Sequence, residues 1–235
     1  MTREKQSLQV LFEDNHLIAV NKPVGVPVQG DITGDTPLID VVSEYIKVKY
    51  EKPGNVYIGL VHRVDRPVSG VVLFAKTSKA LARMNEVFQS RQVKKTYLAI
   101  VAEAPKEIKG TLEHYLVKDT EKNKSFAYNK SGKGAKKAVL SYELIGRSQN
   151  YSLLKIDLET GRHHQIRCQL AKIGSPIKGD LKYGSPRSNP NGGISLHAYK
   201  LEFEHPVKKS TVVIKAPLPT DDVLWREFKN LAESN

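Results

Sequence analysis

The second half of the sequence is dominated by patterns typical of β-strands. From about residue 110, short apolar and β-branched runs alternate with polar turns, in the order GTLEHYLV, KKAVLSYELIG, YSLLKIDLET, GISLHAYKLEFEHP and STVVIKAP. Consecutive strands of this kind pair with their neighbours in an antiparallel manner. Neither a repeat of fixed period nor a convincing linker divides the chain. We therefore expect one α+β domain over residues 1–235, built on a large, mainly antiparallel mixed sheet that is flanked by helices.

The remaining elements are indicated by helix caps and apolar runs. LIAVNKPVGVPV, residues 17–28, predicts a buried strand that ends at Lys22-Pro23, and KKTYLAIV, residues 94–101, predicts another strand. A helix over residues 36–50 begins with Thr36 as N-cap and Pro37 at its first position. Thr77-Ser78 caps a second helix, whose core-facing stripe is Leu81, Met84 and Phe88.

Two further helices are predicted in the second half of the chain. HHQIRCQLAKIG gives a short helix that ends at Gly174. TDDVLWREFKNLA gives a last helix that buries four side chains, those of Leu224, Trp225, Phe228 and Leu231.

Charge is the compositional feature that bears most on function. The chain carries 37 lysines and arginines against 25 acids, a net charge of +12. A protein this basic commonly binds a polyanion, and nucleic acid is favoured because each neutralised phosphate releases counterions. An acidic membrane surface and a merely solubilising charge are the alternatives. No basic amphipathic helix or lipidation motif supports the membrane alternative.

Other compositional features bound the class of protein. Hydrophobic residues make up 40% of the chain, which is typical of a folded globular protein. No apolar run is long enough to span a bilayer, and the N-terminal MTREKQSLQV lacks the apolar segment of a signal peptide. One cysteine, Cys168, cannot form an internal disulfide. We expect a cytoplasmic protein without membrane contact.

A lysine-rich segment, KDTEKNKSFAYNKSGKGAKK, occupies residues 118–137. It is polar and lies between two predicted strands, which indicates an exposed, mobile hairpin. We expect it to make additional contacts with a polyanionic backbone.

The stretch LVHRVDRPVSG, residues 60–70, places Asp65 between Arg63 and Arg66 where an apolar strand ends. Neighbouring cations keep a carboxylate ionised, and an ionised, partly desolvated aspartate can act as a nucleophile or a base. The alternative is an ion pair at a strand end with no chemical role.

A second polar cluster, ETGRHHQIRCQLAKIG, surrounds the start of a short predicted helix. Arg162 and the free amides there suit a phosphate. Arg167 lies in the helix body, so its guanidinium is expected to be partly buried and to need a carboxylate partner, either Asp65 or another acid. His164 and Cys168 have a spacing that zinc uses, but no second pair of ligands accompanies them, so we expect no metal site.

Tyr97 alternates with Leu98 along its predicted strand, which by itself indicates an ordinary sheet tyrosine. The ring gains a function only if it points into the same cavity as Asp65, where it could stack on a nucleobase.

Five strings of the sequence together resemble the RluA-type branch of the pseudouridine synthases. HRVDRPVSG is similar to the family signature HRLDxxTSG, and the other strings follow the family's order: NKPVGVPV, KKTYLAIV, TGRHHQIRCQLAKIGSPIKGD with a following YG, and LHAYKLEFEHP. The resemblance spans residues from about 10 to about 217, the expected catalytic core. It implies the pseudouridine synthase fold and the isomerisation of uridines in ribosomal or transfer RNA, which needs no cofactor and no metal.

The resemblance also implies roles for individual residues. Asp65 would be the catalytic aspartate, Tyr97 the active-site aromatic residue and Arg167 the arginine that pairs with the aspartate. Six further residues are implied in substrate binding. His62 and Arg63 would lie beside the extruded nucleotide, Arg162 and His164 near the RNA backbone or the wall of the site, and Leu196 and Leu201 along the pocket.

Three departures from the family pattern bear on target choice rather than on activity. Val64 replaces a leucine, Val68 replaces a threonine, and Gln169 stands where relatives often have a second histidine. We expect a monomer without the small N-terminal RNA-binding domain that some relatives carry. The target RNA, the uridine position and the chemical route of Asp65 stay open.

Two rival functions remain at this stage. A non-catalytic, basic RNA-binding protein would explain the charge, but Asp65 would then be dispensable. A hydrolase of nucleosides or glycosidic bonds usually has two carboxylates, and no second acid accompanies Asp65.

Overall fold

A computed structural model of the chain describes residues 8–233. It contains eleven strands and five α-helices within those residues. In chain order they are β1 (Val10–Glu13), β2 (Leu17–Lys22), α1 (Leu38–Lys49), β3 (Gly59–Leu60), β4 (Ser69–Ala75), α2 (Ser78–Gln89), β5 (Lys94–Val101), β6 (Lys109–Asp119), β7 (Lys124–Tyr128), β8 (Lys136–Arg147), β9 (Ser152–Leu158), α3 (Gln165–Lys172), a short 3-10 helix (Leu181–Tyr183), β10 (Leu196–Glu204), β11 (Thr211–Lys215), α4 (Val223–Glu227) and α5 (Lys229–Glu233).

The chain divides into two compact units. Unit 1 comprises the chain up to Val93 together with Lys200–Pro217, and unit 2 comprises Lys94–Tyr199 together with the chain from Leu218 onward. That the chain forms a single domain stays a prediction.

Strand pairing within each unit is antiparallel. In unit 1, β2 lies between β1 and β4, β3 adds to β4, and the second part of β10 pairs with β11. In unit 2 the order is β5, β9, β8, β6 and β7, so that β7 is the outer strand of this series. The α+β class and the mainly antiparallel sheet predicted from the sequence are confirmed.

The core of unit 1 forms between the β2–β4 strand pair and α2. Thr77 caps α2 as predicted, because its side chain accepts a hydrogen bond from the backbone N–H of Ala80 at 3.1 Å. Met84 is fully buried, and the predicted stripe is completed by the partly buried Leu81 and Phe88. This packing buries apolar side chains on one face of the helix and one face of the strands.

Two details of the predicted helices are wrong. The N-cap of α1 is Pro37 rather than Thr36, and no side chain caps that helix. The C-terminal helix is interrupted at Phe228, which separates α4 from α5. Leu231 is 41% exposed, whereas Ala232, whose N–H donates to the Phe228 carbonyl at 2.9 Å, is buried.

The carboxylate of Glu13 at the end of β1 ties α1 to the sheet of unit 1. One oxygen accepts hydrogen bonds from Lys49 at 2.7 Å and Tyr45 at 3.3 Å, and the other accepts from Lys76 at 2.8 Å and Tyr50 at 2.7 Å. Burial of Glu13 raises its pKa, but the donors outweigh this effect and lower the pKa to about 2.

We expect Glu13→Gln to lower the free energy of unfolding by about 1–2 kcal/mol at neutral pH, since four donors lose a charged acceptor and two of them, Lys49 and Tyr50, are solvent-exposed. The stabilisation exists above the usual glutamate pKa of 4.5 and disappears as the pH falls through about 2. Urea unfolding of both proteins at several pH values measures the difference. The control is Glu44→Gln, at an exposed position of α1. A difference that does not shrink in acid would contradict this account.

Candidate active site

In unit 1, Asp65 lies in the connection between β3 and β4. The side chain is half-buried. Its backbone carbonyl accepts a hydrogen bond from the N–H of Val68 at 3.0 Å, which closes a tight turn immediately before β4. The carboxylate therefore projects from a short, hydrogen-bonded turn anchored to a buried strand.

A fully buried lysine, Lys22, holds the residue that follows Asp65. The Lys22 ammonium donates to the carbonyl oxygens of Pro23 at 3.0 Å, Val26 at 2.9 Å and Arg66 at 3.0 Å. The Arg66 carbonyl also accepts from the N–H of Gly25 at 3.0 Å. Two separate donors thus fix the carbonyl of Arg66, the residue that follows Asp65.

Lys22 and Asp65 also interact through their charges. Burial lowers the pKa of Lys22 to about 7; the negative charge of Asp65 opposes this shift and the positive charge of Arg66 adds to it. Sequence reasoning missed Lys22. The available signal was a lysine at the end of the buried run LIAVNK, directly before a proline.

The two arginines that flank Asp65 in sequence have different environments. The Arg66 guanidinium contacts Asp31 at 3.4 Å, Thr33 at 2.8 Å and the carboxylate of Asp35. Arg63 is exposed. Thus the Arg66 side chain pairs with acids of the residue 31–35 loop, and Lys22 is a further cation whose charge acts on Asp65.

His62 attaches the same loop to the core of unit 1. Its Nε2 accepts a hydrogen bond from the N–H of Leu73 at 3.1 Å, so we assign the proton to Nδ1. The ring also stacks on Phe88 of α2, with centroids 5.3 Å apart. His62 therefore connects the loop that carries Asp65 to β4 and α2. Its contact with a nucleotide stays a prediction.

In unit 2, Arg167 of α3 is buried as the sequence predicts, with 5% of its surface exposed. Its Nε donates to one oxygen of Asp180 at 2.7 Å and its Nη2 to the other at 2.9 Å. The guanidinium also lies over the ring of Tyr183, 5.1 Å from the centroid. The need for a carboxylate partner is thus met within unit 2 by Asp180. The pairing of Arg167 with Asp65 stays a prediction.

Tyr97 and α3 lie on the same face of the sheet of unit 2. Tyr97 of β5 is paired with Ile156 of β9, Ile156 with Tyr142 of β8, and Tyr142 with Gly110 of β6. Directly paired residues point to the same face of a sheet. Side chains alternate along β6, so His114, four residues after Gly110, shares that face. The His114 ring contacts the amide of Gln169 in α3 at 3.1 Å.

The start of α3 is built from buried, mutually bonded polar groups. His164 has a positive φ of 53°, stacks on His163 with centroids 3.8 Å apart and lies 3.0 Å from the hydroxyl of Tyr183. Burial lowers the pKa of His164, and the charges of Arg167 and His163 act in the same direction, so that the pKa is about 2. His164 is therefore neutral and offers no positive charge to a phosphate.

Arg162 is a half-buried cation of this turn. Its Nε donates to the carbonyl of Lys137 at 3.0 Å. Its backbone N–H donates to Gln165 at 2.9 Å, and Gln165 also accepts from Thr160 at 2.7 Å. These bonds close the turn before α3 and leave part of the Arg162 guanidinium at the surface.

The two leucines predicted to line a pocket are both buried. Leu201 belongs to the apolar core of unit 1 and faces Ile214 across the β10–β11 pair. Leu196 is 3% exposed and belongs to unit 2. Their contribution to a substrate pocket stays a prediction.

Cys168 is buried and packs in an apolar cluster of unit 2. Its thiol donates to the carbonyl of Ser125 at 3.2 Å, and burial raises its pKa to about 11. Across residues 8–233, no three His, Cys, Asp or Glu side chains lie together as metal ligands would. Within the same range, no helix has the length and apolar character needed to cross a membrane.

Comparison with known proteins gives a consistent set of matches. A family model described as RNA pseudouridylate synthase matches residues 16–172. The chain is 32% identical over 221 residues to the RNA pseudouridine synthase YhcT of Bacillus subtilis, which covers 93% of this chain and 71% of that protein. It is 33% identical over 240 residues to ribosomal large subunit pseudouridine synthase D of Zymomonas mobilis, which covers 97% and 74% respectively.

A solved structure shares the fold. The human protein RNA pseudouridylate synthase domain containing 4 superposes with a TM-score of 0.77 at 25% identity, over 95% of this chain and 93% of that one.

We expect the stability of the wild-type protein to rise relative to Lys22→Met as the pH increases from 7 to 10. The folded protein releases the Lys22 proton near pH 7, whereas the unfolded chain holds it up to about 10.5, so the unfolded state binds more protons in this range. Urea unfolding of both proteins at the two ends of the range measures the difference. Lys79→Met, at an exposed position of α2, is the control. Equal pH dependence in all three proteins would contradict the shift at Lys22.

Proposed function

Because the chain belongs to the RNA pseudouridylate synthase family, we propose that Asp65 is the carboxylate with which it isomerises uridine to pseudouridine in RNA. The observation that supports this assignment is the construction of the Asp65 turn. The carbonyl of Arg66, the residue after Asp65, accepts hydrogen bonds from both Lys22 and Gly25, and the Asp65 carbonyl accepts one from Val68. Rigid backbone support of this kind is what an aligned catalytic group requires.

The only reactive protein group that the reaction needs is one well-placed anionic oxygen. The bond between N1 of uracil and C1′ of the ribose breaks, the uracil turns, and C5 bonds to C1′; the C5 proton leaves and N1 takes up a proton. Atoms and oxidation states balance without a co-reactant, so we propose no cofactor and no metal. Asp65 acts either by attack on C1′ or by removal of a sugar proton.

Arg167 and Tyr97 complete the proposed site. Arg167 would pair with the Asp65 carboxylate, with its own orientation fixed by the bidentate pair with Asp180. Tyr97 would stack on the detached uracil, and its placement on the α3 face agrees with that role. A dry site is needed because water would otherwise hydrolyse the intermediate.

The other predicted residues have supporting roles in this proposal. The exposed Arg63 and the half-buried Arg162 would contact the RNA backbone, because guanidinium groups bind phosphate oxygens. His62 would keep the Asp65 loop in place through Leu73. The buried, neutral His164 and the two leucines, Leu196 and Leu201, would shape the wall of the pocket.

The substrate would be a uridine in structured ribosomal or transfer RNA. Its N1 and C1′ are hidden in a stacked helix, so the nucleotide would have to be flipped out or lie in a loop. The net charge of +12 favours approach to RNA. We propose that the protein acts as a monomer in the cytoplasm.

We expect Asp65→Asn to reduce the rate of pseudouridine formation by roughly 1,000-fold or more, as loss of an essential nucleophile or base does. Release of tritium from C5-labelled uridine in total cellular RNA measures the rate. Folding should be retained because Asp65 is only half-buried and asparagine has the same shape.

Asp157→Asn is the matched control, since Asp157 is an exposed acid of β9 that bonds to Thr96. Its rate should equal that of the wild type. Turnover by Asp65→Asn at the wild-type rate would refute the catalytic role. Release of free uracil instead of pseudouridine by the wild type would indicate a hydrolase.

A further inference from the structure

The hairpin of β6 and β7 is fixed to unit 2 through the side chains of β7 that point inward. Ser125 is buried, and its N–H donates to the Tyr183 hydroxyl at 2.8 Å. Its hydroxyl donates to the carbonyl of His163 at 2.8 Å, and its carbonyl accepts from the Cys168 thiol at 3.2 Å. Ala127 packs against the same apolar cluster as Cys168. One face of the hairpin is thereby docked next to α3.

Alternation along β7 forces its other side chains outward. Phe126 and Tyr128 flank Ala127, so they point away from α3, and they are 37% and 50% exposed. Their cross-strand neighbours on β6 are Val117 and Tyr115, both half-buried. We call these four side chains, Tyr115, Val117, Phe126 and Tyr128, the hairpin platform.

The two exposed rings of the hairpin platform, Phe126 and Tyr128, lie within a strongly basic segment of the chain. Residues 118–137 contain seven lysines and two acids, a net charge of +5 out of the +12 of the whole protein. Most of these lysines are exposed, namely Lys118, Lys122, Lys130, Lys133, Lys136 and Lys137. Lys124 lies over the rings of Phe126, at 5.6 Å, and Tyr183, at 5.0 Å.

Protection of a sheet edge explains only part of this arrangement. Lysines on an outer strand such as β7 discourage pairing with another chain. That explanation gives no reason for Phe126 and Tyr128, whose exposed rings would themselves favour association. Exposed aromatic rings surrounded by cations are, in contrast, the arrangement with which proteins bind single-stranded nucleic acid, through base stacking and phosphate contacts.

We infer that the hairpin platform binds unpaired nucleotides of the RNA substrate, with bases stacked on Phe126 and Tyr128 and phosphates contacted by the surrounding lysines. The inference rests on the proposed function, because it takes RNA as the substrate. Through Ser125 and Cys168, the platform is attached to the helix that carries Arg167. The RNA contact therefore has a fixed position relative to Arg167 within unit 2.

The experiment measures binding of a labelled oligoadenylate RNA of about 12 nucleotides, a length within the site size of known single-strand binders. Fluorescence anisotropy compares the wild type with the double variant Phe126→Leu/Tyr128→Leu, which keeps the charge and most of the apolar volume. We expect the double variant to bind on the order of 10-fold more weakly, since two stacking contacts are lost. Tyr57→Leu removes an exposed tyrosine of unit 1 and should bind as the wild type does.

The lysines are tested through the salt dependence of binding. Lys124→Gln/Lys130→Gln/Lys133→Gln should reduce the slope of log affinity against log salt concentration by about 2, because three phosphate contacts to a single strand are lost. An unchanged slope would overturn the phosphate contacts. Equal affinity of the wild type and the aromatic double variant would overturn the stacking.

Two outcomes separate this inference from its alternatives. Binding to anionic phosphatidylglycerol vesicles that exceeds RNA binding and is lost in the aromatic double variant would assign the platform to a membrane and overturn the inference. Oligoadenylate contains no uridine, so its binding does not depend on turnover. Retained RNA binding in a protein that forms no pseudouridine would reject the proposed function and leave the platform intact.

Discussion

The ammonium group of Lys22 organises the candidate active site of unit 1. A charged group with no exposed surface is costly unless its donors are satisfied, and Lys22 is satisfied by three carbonyl oxygens, those of Pro23, Val26 and Arg66. Pro23 and Val26 belong to the turn after β2, whereas Arg66 follows Asp65. One cation thus holds two turns together at the end of the β2–β4 pair and places its charge near the proposed catalytic carboxylate.

In unit 2 the buried cation is Arg167, and its charge is compensated by the carboxylate of Asp180. Arg167 is buried in α3 and is oriented by the bidentate contact with Asp180 and by the ring of Tyr183. Tyr183 also bonds to Ser125, so the same hydroxyl that supports the start of α3 anchors the β6–β7 hairpin. The orientation of Arg167, which the proposed function needs, and the proposed RNA contact in unit 2 therefore depend on one buried cluster.

Local sequence patterns predicted most of the fold, because strands and helices of this protein follow their apolar periodicity. The α2 cap at Thr77 and the strand from Lys94 to Val101 are examples. The cap at Thr36 and the burial of Leu231 were predicted wrongly, since the first turn of α1 lacks a side-chain cap and Ala232 takes the buried position in the last helix. Asp65 and Arg167 were found through motifs, but their partners were not. The contacts of Lys22 with Arg66 and of Asp180 with Arg167 join residues that are distant in the sequence. Neither residue spacing nor apolar periodicity predicts such contacts.

The central claim is that Asp65 converts particular uridines of cellular RNA to pseudouridine. Nucleotide-resolution mapping of pseudouridine in total RNA tests it most directly, in cells that lack the gene and carry either the wild-type protein or Asp65→Asn. The account predicts that deletion removes pseudouridine at one or a few positions, that the wild type restores it, and that Asp65→Asn does not. An unchanged map after deletion, or restoration by Asp65→Asn, would contradict the claim.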